Sequence, residues 1–149
     1  MEEIDNVDLK LLRALAKNSR VSLKELSREL GLSISGVKRR IDKLRKKGII
    51  KGFSIVIDSK KYGWEITAFV KVDMESRSIK DLADSLLKKR EVCEVHKIAG
   101  GDSLLVKLRT RTMDDLNKFI EDNIASRDGV RNVSTMLSME CFKETLAAV

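Results

Sequence analysis

The sequence predicts an α+β chain in two parts, a three-helix unit followed by an antiparallel sheet with helices on one face. Two observations predict it. Apolar residues recur at helical spacing through the first third of the 149 residues, then switch to period-two runs separated by two further helical stretches. Charge divides the chain at about the same place: the formal net charge is +7, residues 1–60 hold 15 Lys/Arg against 8 Asp/Glu, and residues 61–149 balance at 15 each. The length suits one ordinary domain or two small ones.

The first helix is read from Ile4, Val7, Leu11 and Leu15 with Ala14, capped by Asp5 or Asn6 and stopped at Asn18-Ser19. The second begins at Ser22, an N-cap with Glu25 three residues on, which makes a capping box. Leu23, Leu26 and Leu30 form its stripe, and Gly31 ends it. After a short turn Leu32 plugs the angle, Ser33 caps a third helix, Ile34, Val37, Ile41 and Leu44 form its buried stripe, and Gly48 stops it.

At about 100° per residue, a stripe centred near Val37 leaves Ser35, Gly36, Arg39, Lys43 and Lys46 opposite, flanked by Lys38, Arg40 and Lys47. A capped helix, a glycine turn and a basic helix make a helix-turn-helix pattern, and the basic face is the electrostatic footprint expected on a polyanion. Ser33, Ser35 and Gly36 are small and sit at the end that approaches base edges. Arg39 and Lys43 are placed for guanine O6/N7 or phosphates, and Arg40, Lys46 and Lys47 for phosphates that fix register. Ser22 and Lys38 complete the expected double-stranded DNA contact set.

Residues 52–58 alternate Phe53, Ile55 and Ile57, which suits a strand or an extended linker, and a polar stretch ending in Gly63 marks a boundary. The expected division is 1–52 for DNA binding, 53–63 for the connection and 64–149 for the second domain. There, Ile66, Ala68, Val70, Val72 and Met74 alternate as a strand. Ile79, Leu82, Ala83, Leu86 and Leu87 mark a helix over residues 78–90. Residues 91–99 and 103–109 are strands around a Gly100-Gly101 turn. Thr112 caps a helix burying Met113, Leu116, Phe119, Ile120 and Ile124, and residues 130–142 supply the last strand. The order βαββαβ is the ferredoxin-like split motif, with strand order 4-1-3-2. Its uncovered face is expected to carry Thr67, Phe69, Cys93, Val95 and Lys97, half-apolar enough to call for a partner, most simply a second copy.

Several classes are excluded. No stretch approaches a membrane span, and the Met-Glu-Glu-Ile-Asp start is acidic where a signal peptide would be basic, so a cytoplasmic protein without membrane association is expected. One histidine, His96, and two cysteines, Cys93 and Cys141, cannot assemble a zinc-ligand set within one chain, so no metal or cofactor is expected. His96 is read as structural, and the cysteines lie on opposite edge strands, too far apart to bridge. One histidine gives no nucleophile-base pairing, Asp114-Asp115 complement a helix start, and there is no phosphate-binding glycine loop, so catalysis is not expected. Residues 103–109 lack the stacking aromatics of an RNA-recognition strand.

With both halves in view the sequence resembles the Lrp/AsnC family, the leucine-responsive or feast/famine transcription regulators of bacteria and archaea. The likeness covers essentially the whole chain and is most specific in VKRRIDKLRKKGIIKGFSIVIDSKKYGWEITAFVKV, where Val37, Arg40, Ile41, Leu44, Gly48, Ile50 and Gly63 fall at the family's recurrent positions. The resemblance implies a winged or plain helix-turn-helix and a C-terminal domain that dimerises through its sheet and often stacks into octamers. It also implies a small effector, typically an amino acid, bound between C-terminal domains. The corresponding residues here are Gly100, Gly101, Asp102 and Ser103 with Ser134, Thr135 and Met136 opposite. Asp102 would pair the effector's amino group, and Thr135 would hydrogen-bond its carboxylate. The usual turn reads roughly Gly-Asp-Tyr-Asp; here Gly101 takes the place of the first acid and Ser103 that of the last. The expected function is sequence-specific regulation at pseudo-palindromic operators. The alternative is an architectural DNA-binding protein with weak sequence preference and no effector.

Overall fold

The computed structural model describes residues 4–145, 147 and 149; the outermost positions of the expected domains, 1–3, 146 and 148, lie outside the described residues. The chain divides into two compact units, one through Val56 that also includes the last residues from Lys143, and one from Ile57 to Phe142.

The first unit holds α1 (Asn6–Lys17), α2 (Leu23–Leu30) and α3 (Ile34–Lys46). Local chemistry sets each boundary. Asp5 caps α1 by accepting from the Asp8 N–H at 2.7 Å. Ser22 and Glu25 form the reciprocal capping box on α2, and Gly31, at φ 65°, ends it in the left-handed conformation that glycine adopts without a Cβ penalty. The Ser27 hydroxyl donates to the Leu32 carbonyl and closes the turn. Leu11, Leu26, Val37 and Leu44, at least one from each helix, are almost fully buried and form the core, with Leu15, Leu23, Leu30 and Ile41 packed around them. Truncating any one of the three leucines to alanine should cost roughly 2–5 kcal/mol. Ile34 does not belong to this stripe: it is the first residue of α3 and is half exposed.

Among the described residues no strand lies between α3 and the sheet; residues 51–58 form neither helix nor strand and leave Phe53, Ile55, Val56 and Ile57 exposed. A turn follows, with the Lys61 N–H on Asp58 Oδ1 and the Trp64 N–H on the Ser59 carbonyl.

The second unit runs β1 (Ile66–Met74), α4 (Ile79–Leu86), β2 (Val92–Ile98), β3 (Ser103–Thr110), α5 (Met113–Ile120) and β4 (Val130–Leu137), with a 3-10 turn before α4 and a π turn after α5. The antiparallel sheet has the order β2-β3-β1-β4, so β1 lies between β3 and β4. Ala68, Val70, Val72 and Met74 of β1, with Leu104, Val106 and Leu108 of β3, pack against Leu82 and Leu86 of α4 and Leu116, Phe119 and Ile124. Four expectations need correction. Helix α4 ends at Leu86, so Leu87 is exposed, and β4 stops at Leu137 rather than 142. Met113, the first residue of α5, is exposed too. The uncovered face also differs: a register shift between Val92 and Glu94 inserts Cys93 as an extra residue, which sets Val95 opposite the buried Val106 and Lys97 opposite Leu104. Directly opposed residues share a face, so Glu94 and His96, not Val95 and Lys97, join Thr67 and Phe69 on the open side.

Candidate nucleic-acid interface

The outer face of α3 is a shallow depression lined by Ser35, Lys38, Arg39, Asp42, Lys43, Lys46 and Lys47. Two features of the sequence build it. The apolar positions Val37, Ile41 and Leu44 turn inward, and Ser33 caps the helix by accepting from the Gly36 N–H at 3.1 Å. Gly36 has a local reason to be small, because a Cβ there would lie 3.1 Å from Ser33 Oγ. An adjoining depression is lined by Asp42, Arg45, Lys46, Ile50 and Lys51, so Arg45 and Lys51 extend the basic surface beyond the set read from sequence. Asp42 had also been left off that face. Its spacing, seven residues after Ser35 and three after Arg39, carries the signal.

The other candidate residues are placed differently. Ser22 spends its side chain on the capping box: Oγ accepts from the Glu25 N–H and donates to Glu25 Oε2 at 2.8 Å. The Ser22 backbone N–H, donating to Glu25 Oε2 at 2.9 Å, and then the Ser22 hydroxyl hold the Glu25 carboxyl below its ordinary range. Ser33 and Ser35 lie 3.1 Å apart, oxygen to oxygen. Arg40 is turned away from the outer face. Its Nη1 donates to Asp5 Oδ2 at 2.6 Å and to Asp8 Oδ1 at 2.7 Å, both on α1. The expected phosphate role for Arg40 therefore meets a guanidinium already committed to two carboxylates.

In the second unit, Gly100 and Gly101 form the β2–β3 turn with positive φ, the Asp102 carbonyl accepts from the Met74 N–H at 2.9 Å, and Ser103 is nearly buried at the start of β3. Strand register sorts the rest of the expected effector set. Ser134 pairs with Lys71 and Met136 with Phe69, so both lie on the open face, whereas Thr135 pairs with the buried Val70 and projects from the other side. The structure thus brings Ser103, Ser134 and Met136 to one face and leaves Thr135 off it.

What joins them is a residue the sequence reading passed over. Asp73, in β1, accepts from Ser103 Oγ at 2.6 Å and from Asn132 Nδ2 at 3.3 Å, and Lys71 Nζ lies 2.9 Å away. Asn132 in turn lies 3.4 Å from Ser134 Oγ. The Ser103 hydroxyl, then Lys71 and Asn132, hold the Asp73 carboxyl down to about 2 from an ordinary 3.8. A single acid in a strand has no signature of its own; it becomes visible only once β3 and β4 are seen in register on either side. On the β2 side Glu94 contacts His96 at 3.0 Å and Lys107 at 3.1 Å, and these two neighbours, His96 first, lower its pKa. Cys93 and Cys141 both lie at the surface. No cluster of three or more His, Cys, Asp or Glu among the described residues is arranged to hold a metal, and none of their helices is long and apolar enough to cross a membrane.

A helix-turn-helix unit with a basic outer helix, followed in one chain by a helix-covered βαββαβ sheet, defines a DNA-binding regulator with a separate sensory-type domain. Residues 4–51 match the winged helix-turn-helix DNA-binding family, and residues 67–148 match the Lrp/AsnC ligand binding domain. The chain belongs to the Lrp/AsnC family of transcription regulators. It is 34% identical to the HTH-type transcriptional regulator FL11 of Pyrococcus furiosus over 95% of this chain and 93% of that one. It is 37% identical to an HTH-type transcriptional regulator of Pyrococcus abyssi over 97% and 96%. Among solved structures it is similar to AsnC of E. coli, with a TM-score of 0.87 at 25% identity over 97% and 98% of the two chains. It is also similar to a transcriptional regulator of Neisseria meningitidis in complex with L-Met, with a TM-score of 0.90 at 25% identity over 99% and 97%. The family consists of transcription regulators, not enzymes.

Proposed function

We propose that this regulator reads pseudo-palindromic DNA operators as a dimer or higher oligomer and that an amino-acid-like effector modulates it. The observation that carries the reading is the outer face of α3, where Ser35, Arg39, Asp42 and Lys46 lie in one depression with lysines at its edges. Small residues at the helix front let the backbone approach base edges, a long basic side chain one turn further in reaches guanine, and the lysines neutralise phosphates. Two such helices in a dimer meet half-sites about 34–36 Å apart, or multiples of that. The second copy is supported by the apolar side chains Phe69, Leu105 and Met136 on the open sheet face and by the exposed run from Phe53 to Ile57. The effector reading rests on the match to the ligand binding domain and on the L-Met carried by the Neisseria regulator. In this chain the β2–β3 turn and the polar chain from Ser103 through Asp73 to Ser134 are the groups offered to it.

Paired substitutions test the DNA reading. Arg39→Ala should cost about 1–3 kcal/mol and relax preference at one base pair, while Lys46→Ala should weaken all sequences alike and lower the salt slope by about 1. A uniform loss from both would remove Arg39 from base readout. Calorimetry with the twenty amino acids tests the effector, and no heat at millimolar concentration would sink it.

A further inference from the structure

Arg40 is held inside the unit by two carboxylates of α1. Its Nη1 bridges Asp5, the N-cap of α1, and Asp8 in the first turn of α1, at 2.6 and 2.7 Å. Asp8 is only 2% exposed. Removing one member of an ion pair at that depth leaves an uncompensated buried charge. The guanidinium also lies between the two carboxylates and so keeps a strong donor pairing, with its own pKa raised chiefly by the Asp5 contact and then by Asp8. A guanidinium so engaged would have to break two short ionic hydrogen bonds to reach a phosphate.

The position of this bridge matters more than its strength. Leu44, Val37, Leu11 and Leu26 are apolar and pack without directional preference, so they leave small rotations of α3 about its own axis weakly opposed. The Arg40 bridge ties the middle of α3 to the start of α1 by two directional contacts. A roll of about 20° moves a side-chain tip at a radius of about 5–6 Å by about 2 Å. That exceeds the tolerance of a hydrogen bond to a base edge, while a flexible lysine still finds a phosphate.

We propose that Arg40, with Asp5 and Asp8, is a positioning clamp that sets the roll of the reading helix, and that it makes no DNA contact itself. This rests on the reading of α3 as the base-reading helix. The clamp predicts an unusual pattern: loss of Arg40 lowers discrimination between sequences but leaves the number of released counterions unchanged.

The test uses the full chain, the duplex recovered by selection from a random pool, and poly(dI-dC) as non-specific competitor, with binding measured across a range of salt. For Arg40→Gln the ratio of specific to non-specific affinity should fall about tenfold or more, the scale of one misplaced base contact, with an unchanged slope of log K against log salt. Asp8→Asn should shift the ratio in the same direction, and the double variant should be no worse than the worse single one, because one interaction is lost in each case. Asp5→Asn, at the half-exposed end of the bridge, should give a smaller loss and serves if the Asp8 variants do not fold. Circular dichroism confirms that each variant is folded at the assay temperature. A phosphate contact predicts the opposite: a slope smaller by about 0.9 for Arg40→Gln, uniform weakening across sequences, and a gain in affinity for Asp8→Asn as Arg40 is released. Any of these overturns the clamp while leaving the DNA reading intact. A wild-type chain with no sequence preference overturns both.

Discussion

Asp42 and Asp73 are acids among bases, in different units and with different consequences. Asp42 shares the α3 depression with Lys38, Arg39, Lys43 and Lys46, where it opposes phosphate binding and offers an acceptor for a cytosine amino group. Asp42→Asn should therefore raise affinity for arbitrary duplexes and lower the specific to non-specific ratio, measured by competition with poly(dI-dC); a fall in both affinities would remove it from the DNA face. Asp73 is held by Ser103, Lys71 and Asn132, with its carboxyl lowered to about 2 from 3.8. Above 3.8 it is ionised folded and unfolded alike, and its contribution to stability is complete. As pH falls from 3.8 towards 2 the unfolded chain protonates first, and the contribution is lost. Denaturant midpoints of the wild type should drop across that window, and Asp73→Asn should lack that part of the drop; equal slopes for the two would show that the network is not ionic. The place of Asp42 on the outer face was legible from its spacing along α3, whereas that of Asp73 was not, because it gains its role from residues on the neighbouring strands.

At the scale of elements, whatever is decided locally was legible. Asp5, Ser22 with Glu25, Ser33 and Thr112 with Asp115 cap their helices, because a cap depends on three or four consecutive residues. Endpoints that depend on where a neighbouring element stops were misread. Ile34 and Met113 continue an apolar stripe on paper but stand exposed at the first position of a helix, and Leu87 lies just after α4 has ended. The bulge at Cys93 reversed the faces assigned on β2, since one extra residue shifts the whole alternation. Two glycines test how tightly elements are joined. Gly31 has φ 65° and no neighbour within 4 Å of an added Cβ, so Gly31→Ala should cost only the left-handed backbone penalty, about 1 kcal/mol. Gly129 has φ 82°, its carbonyl accepts from Glu75, and a Cβ there would fall 2.6 Å from Ser78 Oγ. Gly129→Ala should cost more than Gly31→Ala by thermal or chemical denaturation, and equal losses would mean that the Ser78 side chain moves aside freely.

For the whole molecule, the ordering of elements could be read from periodicity, and the strand order β2-β3-β1-β4 from the βαββαβ motif that this ordering matches. Which side chains the open sheet face carries depends on register, which a single sequence does not display. The proposed dimer predicts that sedimentation at micromolar concentration gives at least twice the 16.8 kDa of one chain; a monomer throughout would leave each α3 to bind alone. The most direct measurement of the central claim is selection of bound sequences from a random duplex pool at near-physiological salt, with and without a mixture of amino acids. The account predicts a pseudo-palindromic consensus whose enrichment shifts when the mixture is present. Recovery of no consensus in either condition would contradict it and leave α3 binding phosphates alone.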